Sequence, residues 1–442
     1  MSELKICVVG LGFVGLTVST VIASKGLDVI GVETNSEKYE MIKQGKSPFF
    51  EPKIDQLLAL NLGKTFHISN NLKESFLKSD ILFVCVGTPS QKDGSADLSF
   101  INQVCIEIGQ SLRNKNSFKV IIIKSTIPPL TCKNVVKPIL EEESKKQVGK
   151  DFGLCMNPEF LREGSAIDDM LHPHLVVIGS DDDQTKQKMR KFYEMVYDSM
   201  PEYLETTWEN AELIKYANNA FLATKISFIN SVANVCSKIK GADVEIIAKA
   251  IGTDPRIGPL FLKAGPGFGG SCFPKDLAGF LSFSTSLGYE FSLLASTQQV
   301  NKRQVEIVID MIYQKLNDVP DKIVSVLGLS FKKNTDDIRE SVAIKVVDSL
   351  LQDNVKIKVH DPMAIVNFQK LFTDKISYSH TIQECLKNSS CCVILTDWDE
   401  YANLTKDDFI SIMKIPKVVD ARRVLDPKKM NSIDFSAIGY GL

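Results

Sequence analysis

Two doubly wound α/β domains joined by a long central helix are predicted for this chain of 442 residues, on three observations. The first is a short apolar run, Lys5–Val9, that passes directly into Gly10-Leu-Gly12-Phe-Val-Gly15 and then into a helix-compatible run ending at Lys25. The second is a later series of strand-like runs: Ile323–Leu327, Val355–Val359, Cys392–Leu395 and Val418–Asp420. The third lies between them. From Trp208 to about Ile239 there is no proline or glycine, and alanine, leucine and isoleucine recur at helical spacing. At roughly 150 residues per domain the length suits two or three domains. The breaks in pattern place them at 1–200, 201–303 and 304–442.

Composition narrows the function. With 44% hydrophobic and 24% charged residues, the chain has the balance of an ordinary globular protein. A net charge of -2 argues against nucleic acid or an anionic membrane as partner. Ten cysteines occur without a Cys-x-x-Cys pair, so zinc is not indicated, and reduced thiols in a cytoplasm fit best. The segment Leu4–Ala23 is almost uncharged and mimics a signal peptide or membrane span. Its glycines interrupt it at fixed spacing, however, so it reads as a buried strand, a turn and a helix start.

In such a unit the first glycine makes the tight turn and the second lets a pyrophosphate approach the helix N-terminus. The third allows the helix to pack on the strand. The next strand, Val29–Val32, ends on Glu33, placed to take adenosine ribose hydroxyls and to repel a 2′-phosphate. Gly10, Gly12, Gly15 and Glu33 therefore predict a Rossmann-like domain holding NAD. Asp80–Val86 runs into Gly87-Thr88-Pro89, and Lys119–Ile123 into Lys124-Ser-Thr126-Ile-Pro128, at the edge where such sheets bind ligands. Alone, Thr88 and Thr126 would read as strand-end caps. The strand Gly153–Met156 leads into an extended loop with two carboxylates, Asn157-Pro-Glu-Phe-Leu-Arg-Glu-Gly164.

On the central helix Lys215 and Asn219 share one face amid apolar neighbours. A lysine facing inward is costly unless it meets an anion, whether a ligand or a salt-bridge partner near Glu212. Beyond the helix lies Gly265-Pro-Gly-Phe-Gly-Gly-Ser-Cys-Phe-Pro-Lys-Asp276. Its glycines permit positive φ and close approach of backbone to a ligand. Lys275 and Asp276 stand near Cys272, and a cation beside a thiol favours the thiolate that attacks carbonyl carbon. Cys272 therefore reads as a nucleophile. In the C-terminal series Gly328 follows the first strand, with a helix to Leu351 after it, but no GxGxxG occurs, so a second dinucleotide is not expected.

The cysteine loop resembles the catalytic loop of the UDP-glucose/GDP-mannose dehydrogenases, and the resemblance extends over residues 4 to 425. In that family C6 of a nucleotide sugar is oxidised from alcohol to carboxylate with two NAD⁺. The resemblance implies that Val14, Lys38, Thr88, Thr126, Glu163, Lys275 and Arg339 lie along the cofactor, although Lys38 reads equally well as a solvated helix lysine. Glu159 would be a general acid/base or water-positioning group, and Phe160 and Leu161 would touch substrate. Lys215 and Asn219 would hold the reacting oxygen. Arg256 would reach the site of a neighbouring subunit, and the long central helix is expected to supply the interface of a homodimer or higher homo-oligomer. Phe261, Leu262, Lys263, Gly265, Gly269, Phe331, Lys332 and Arg422 would line the nucleotide sugar, with Lys332 on the diphosphate or sugar.

Asp254-Pro-Arg-Ile-Gly258 resembles the UDP-glucose branch rather than the GDP-mannose one. Where N-acetyl-hexosamine relatives carry histidine and valine, this chain has Ser271 and Lys275. The implied reaction takes UDP-glucose to UDP-glucuronate in a cleft between the two folds. Asp276, through water and helped by Lys215, would remove the hydroxyl proton. Cys272 would add to the aldehyde, and water positioned by Glu159 and Thr126 would hydrolyse the thioester. The alternatives are the same reaction on another nucleotide sugar, a single-step β-hydroxyacid dehydrogenase, or a non-catalytic NAD(H)-binding regulator. The last two leave the cysteine loop without a purpose. Three positions depart from the family pattern: Leu130 and Ala421 replace glycine, and Leu175 replaces arginine.

Overall fold

The computed structural model describes residues 4–113 and 117–441. Eight strands form the first sheet: β1 (Lys5–Val9), β2 (Asp28–Val32), β3 (Phe66–Ser69), β4 (Ile81–Val84), β5 (Val120–Ile123), β6 (Gly153–Met156), β7 (Leu175–Gly179) and β8 (Glu202–Thr206). Their order is β3-β2-β1-β4-β5-β6-β7-β8, parallel except where β6 meets β7. The first six strands follow the order of a dinucleotide-binding sheet. Side chains alternate between two cores: Ile6, Val8, Phe83 and Ile122 enter one, while Cys7, Val9, Val84 and Ile123 enter the other. Burial on both faces is why these strands read as unbroken apolar runs. Leu4–Ala23 folds as β1, the glycine turn and the start of the helix Phe13–Ser24.

The second sheet contains β9 (Ile323–Leu327), β10 (Lys356–His360), β11 (Ser377–Tyr378), β12 (Cys391–Ile394), β13 (Lys417–Asp420) and β14 (Asp434–Ala437). Its order, β11-β10-β9-β12-β13-β14, repeats that of the first six strands and is parallel throughout. A Cβ on Gly328 would stand 2.5 Å from Thr396. The acid after β10, Asp361, accepts from Leu329 N–H (2.7 Å), Ser330 N–H (3.1 Å) and Trp398 Nε1 (3.1 Å) on one oxygen. Met363 and Ala364 N–H groups, both at 2.8 Å, occupy the other oxygen. The helix expected directly after Gly328 begins only at Val342, capped by Ser341, and residues 328–341 form a loop instead.

The central helix runs Trp208–Cys236, 29 residues, against a usual length of about 11–12. By contacts the chain divides into two compact units, Met1–Asn218 with Ala278–Leu287, and Asn219–Leu277 with Gly288–Leu442. Lys215 thus belongs to the first and Asn219 to the second. Among the described residues no helix is long and apolar enough to cross a membrane.

Candidate active site

Register gathers the first group of site residues. Val9 pairs with Val32 and with Val84, Val84 with Ile123, and Ile123 with Met156. The residues that follow, Gly10, Glu33, Cys85, Lys124 and Asn157, therefore leave the sheet at one carboxyl edge. Gly10 has φ +86, and a Cβ on Gly15 would lie 1.9 Å from the Gly10 carbonyl oxygen, so turn and helix can meet only as glycines. At Gly12 a Cβ would meet nothing within 4 Å, leaving open space at the start of the helix that carries Val14. Glu33 is buried, accepting from Leu11 N–H at 3.1 Å and Asn35 N–H at 2.9 Å. Each oxygen keeps a lone pair for a hydroxyl. These features fit a dinucleotide. Lys38 is exposed on the helix Ser36–Lys43, while Thr88 Oγ1 donates to the Thr126 carbonyl at 2.7 Å, bringing the two threonines together.

The loop after β6 carries an ion pair. Lys215 Nζ donates to Glu159 Oε1 at 2.8 Å and to the Glu159 carbonyl at 2.7 Å; the two side chains are 4% and 6% exposed. Leu161 N–H binds the other carboxylate oxygen at 2.5 Å, and the ammonium lies 5.6 Å from the centre of the Phe160 ring. Glu159 thus supplies the anion that Lys215 requires, whereas Glu212 faces elsewhere. The loop is anchored at both ends by residues the motif alone did not reveal. Asn157 Oδ1 receives Lys124 Nζ at 2.8 Å and Tyr193 Oη at 2.5 Å, and burial pushes Lys124 down to about 8. Beyond half-buried Glu163, Gly164 N–H reaches Glu51 at 2.6 Å.

The second unit holds the thiol. Cys272 is exposed and the other nine cysteines are buried. Its carbonyl accepts the Asp276 N–H at 2.8 Å, setting the cysteine immediately before the helix Phe273–Ser286. Backbone N–H groups at such a helix start favour a negative charge. Buried Asp276 accepts from Asn219 Nδ2 at 2.6 Å on one oxygen and from Lys275 Nζ at 2.7 Å on the other. The cation read from sequence as the partner of the thiol is therefore engaged by the carboxylate.

The glycines of the loop answer to close approach by protein. A Cβ on Gly269 would sit 2.2 Å from the Glu340 carbonyl oxygen, and one on Gly270 would sit 2.8 Å from the Phe331 ring. Gly267 has φ +109. Asn301 clamps Phe268 through its N–H (2.8 Å) and carbonyl (2.9 Å), and Asn230 and Gln304 hold Gly265 at 2.8 and 3.0 Å. No motif in the sequence marks Asn230, Asn301 or Gln304 as these clamps.

Elsewhere in this unit Leu262 is buried and Phe261, at φ +63, is half-buried. Lys263 binds Asp397 at 3.0 Å, and Arg256, largely exposed, binds Asp254 at 2.6 Å. Lys332 lies over the Phe331 ring at 5.9 Å, and Arg339 Nε reaches Asp337 at 2.9 Å. Arg422 donates to the carbonyls of Leu395 and Phe331, each at 2.7 Å, and burial holds its guanidinium below the usual arginine range. The departures from the family pattern are accommodated. Leu130 adopts φ +70, Ala421 is buried without positive φ, and Leu175 opens β7.

A glycine turn with an acid at the adjoining strand end, and a buried acid–lysine pair at the same sheet edge, define a dinucleotide-dependent oxidoreductase. The chain belongs to the UDP-glucose/GDP-mannose dehydrogenase family. The family's NAD-binding domain matches residues 4–197, its central domain residues 209–303 and its UDP-binding domain residues 325–427. UDP-glucose 6-dehydrogenase TuaD of Bacillus subtilis is 37% identical over 432 residues, covering 98% of this chain and 92% of that protein. UDP-glucose 6-dehydrogenase AglM of Haloferax volcanii is 36% identical, covering 98% and 100%. The structure of a UDP-glucose dehydrogenase from Pyrobaculum islandicum superposes with TM-score 0.91 at 33% identity, covering 99% and 98%.

Proposed function

We propose a route by which this NAD-dependent enzyme oxidises UDP-glucose at C6 to UDP-glucuronate. What supports it most is the exposed thiol of Cys272, one helical turn from the Asn219–Asp276–Lys275 cluster. Asp276 takes the C6 hydroxyl proton through a water, its oxygens retaining lone pairs beyond those given to Asn219 and Lys275. Bound NAD⁺ supplies the hydride acceptor in both oxidations. Cys272 Sγ adds to the aldehyde carbon, giving a thiohemiacetal and then a thioester. Water positioned by Glu159 and Thr126 opens that thioester and brings in the second carboxylate oxygen. Lys215 and Asn219 donate to the oxyanions.

We read the chain as three working parts: 1–200 for NAD, 201–303 for the catalytic loop and assembly, and 304–442 for the UDP-sugar. A homodimer is supported by the central helix, where Phe221, Phe228 and Val235 recur every seventh residue at 66%, 57% and 58% exposure. Ten free cysteines support a reducing, cytoplasmic setting.

Incubation of the pure protein with NAD⁺ and a panel of nucleotide sugars tests the reading, UDP-glucose being expected to give the highest kcat/KM. A different preferred sugar overturns it. NAD⁺ should be preferred over NADP⁺ by about 10²-fold in kcat/KM, because a 2′-phosphate would meet Glu33. Comparable values would remove that role from Glu33. Lys332→Ala should raise KM for UDP-glucose about ten-fold or more, far beyond the effect of the surface change Lys146→Ala, by loss of a charge-assisted phosphate contact. Equal effects would separate the C-terminal fold from substrate binding.

A further inference from the structure

Four residues beyond Thr126 the chain turns sharply. Thr131 N–H bonds the Pro128 carbonyl at 3.2 Å, and the third residue of that turn, Leu130, has φ +70. A turn of this kind favours glycine at its third position, because a side chain there is strained. Something outside the turn must hold it. Glu212 is 0% exposed, and its two carboxylate oxygens accept the Leu130 N–H at 2.6 Å and the Cys132 N–H at 2.7 Å. One turn further along the same helix, Lys215 grips Glu159. The segment between is fixed from the other side by Thr88 on the Thr126 carbonyl and by Ile127, fully buried.

We infer that Glu212 is a positioning residue for the oxidation: it clamps the Pro128–Thr131 turn in a conformation Leu130 disfavours, and so holds Thr126 in register with the Glu159–Lys215 pair. Opposite charges three residues apart on one helix thereby each hold one of two loops that leave the same sheet edge. This rests on the reading of Thr126 and Glu159 as groups at the reacting centre.

The central test is Glu212→Gln, which preserves shape but offers one acceptor where two N–H groups need two. At about pH 8.5 kcat should fall up to about 10²-fold while KM for NAD⁺ and UDP-glucose moves little, since sub-ångström misplacement acts on the barrier. Leu130→Gly, which relieves the left-handed strain, should leave the wild-type kcat intact and recover much of the loss in the double variant.

A pH series supplies a readout that mere stability would not give. Burial pushes Glu212 up to about 7, partly opposed by the two backbone N–H groups. Facing it are the Cys132 thiol and, along its own helix, Glu209, which is held by Lys133 at 3.0 Å. Below about pH 6 Glu212 is protonated and resembles glutamine, so the wild-type and Glu212→Gln rates should converge there and diverge as pH rises through 7. Stability runs the other way. The folded value exceeds the unfolded one, so the stabilisation from Glu212 is complete below about pH 4 and is lost as pH rises through 7.

A Glu212→Gln enzyme within about three-fold of wild-type kcat at high pH overturns the inference, as does a loss that Leu130→Gly fails to reduce. Should Glu212→Gln not fold, Leu130→Val probes the turn alone: kcat must fall with NAD⁺ binding intact, and an unchanged kcat overturns the inference. Thr126→Ala separates the two readings. If it leaves kcat unaltered, the assignment of Thr126 fails. If it is impaired while Glu212→Gln is not, the clamp alone fails.

Discussion

Cys272→Ala should lower steady-state uronate formation by at least about 10³-fold, the scale on which enzymes lose a covalent nucleophile. The first oxidation needs only a base and a hydride acceptor. The second cannot proceed from a free aldehyde, which has no alkoxide carbon bearing a transferable hydride. Addition of a thiolate converts the aldehyde into such a carbon and retains it between two cofactor exchanges. Wild-type enzyme should therefore form two NADH per uronate and release no aldehyde. The alanine variant should stall after one, and Cys272→Ser should accumulate an ester visible by mass spectrometry. The setting makes the experiment selective. Cys272 is exposed, while burial pushes thiols such as Cys85 and Cys105 up to about 12. Alkylation of the native enzyme should thus modify Cys272 first and remove activity in step. If Cys272→Ala makes uronate at near the wild-type rate, the covalent route is wrong.

The fold was legible because parallel strands are buried on both faces. Cys7-Val-Val and Ile121-Ile-Ile must be apolar throughout, and no amphipathic helix has that pattern. The glycine turn was equally plain, since Gly10 and Gly15 answer to local steric demands. Partnerships were not legible. Lys215 was seen to need an anion, and Glu212 was the nearest in sequence. The anion is Glu159, 56 residues earlier, because chain closure rather than proximity along the helix decides which side chains meet. Lys275 was read as a cation standing near the thiol, and sequence could not show that its ammonium pairs with Asp276. Gly269 and Gly270 were read as letting a ligand approach the backbone, and sequence could not show that the Glu340 backbone and the Phe331 ring stand against them in the fold. The loop between Gly328 and the helix at Val342 has a local signal in Asn334-Thr-Asp-Asp337, residues that favour turns over helix interiors, so the expected helix overran a legible break.

Lys215→Ala should damage stability and catalysis together, and the two effects can be separated. With its partner gone, Glu159 remains a carboxylate 6% exposed, keeping only the Leu161 N–H among the bonds described above. Breaking one side of a buried pair typically costs about 3–5 kcal/mol, because a charge is left uncompensated. For a unit of this size that lowers the melting temperature by roughly 6–20 °C. Turnover should drop by about 10²–10³-fold, the usual effect of removing an oxyanion donor. The double variant Lys215→Met, Glu159→Gln replaces the pair with neutral groups of similar volume, and its stability should return to near wild type. Activity should not return, because neither a cation for the C6 oxygen nor a carboxylate for water remains. Lys215→Arg should keep the charge yet lose most of the rate, since a planar guanidinium cannot reproduce the donors of an ammonium held at 2.7 and 2.8 Å by one residue. Recovery of turnover together with stability in the double variant would reduce Glu159 and Lys215 to a structural pair and would leave the oxyanions to Asn219.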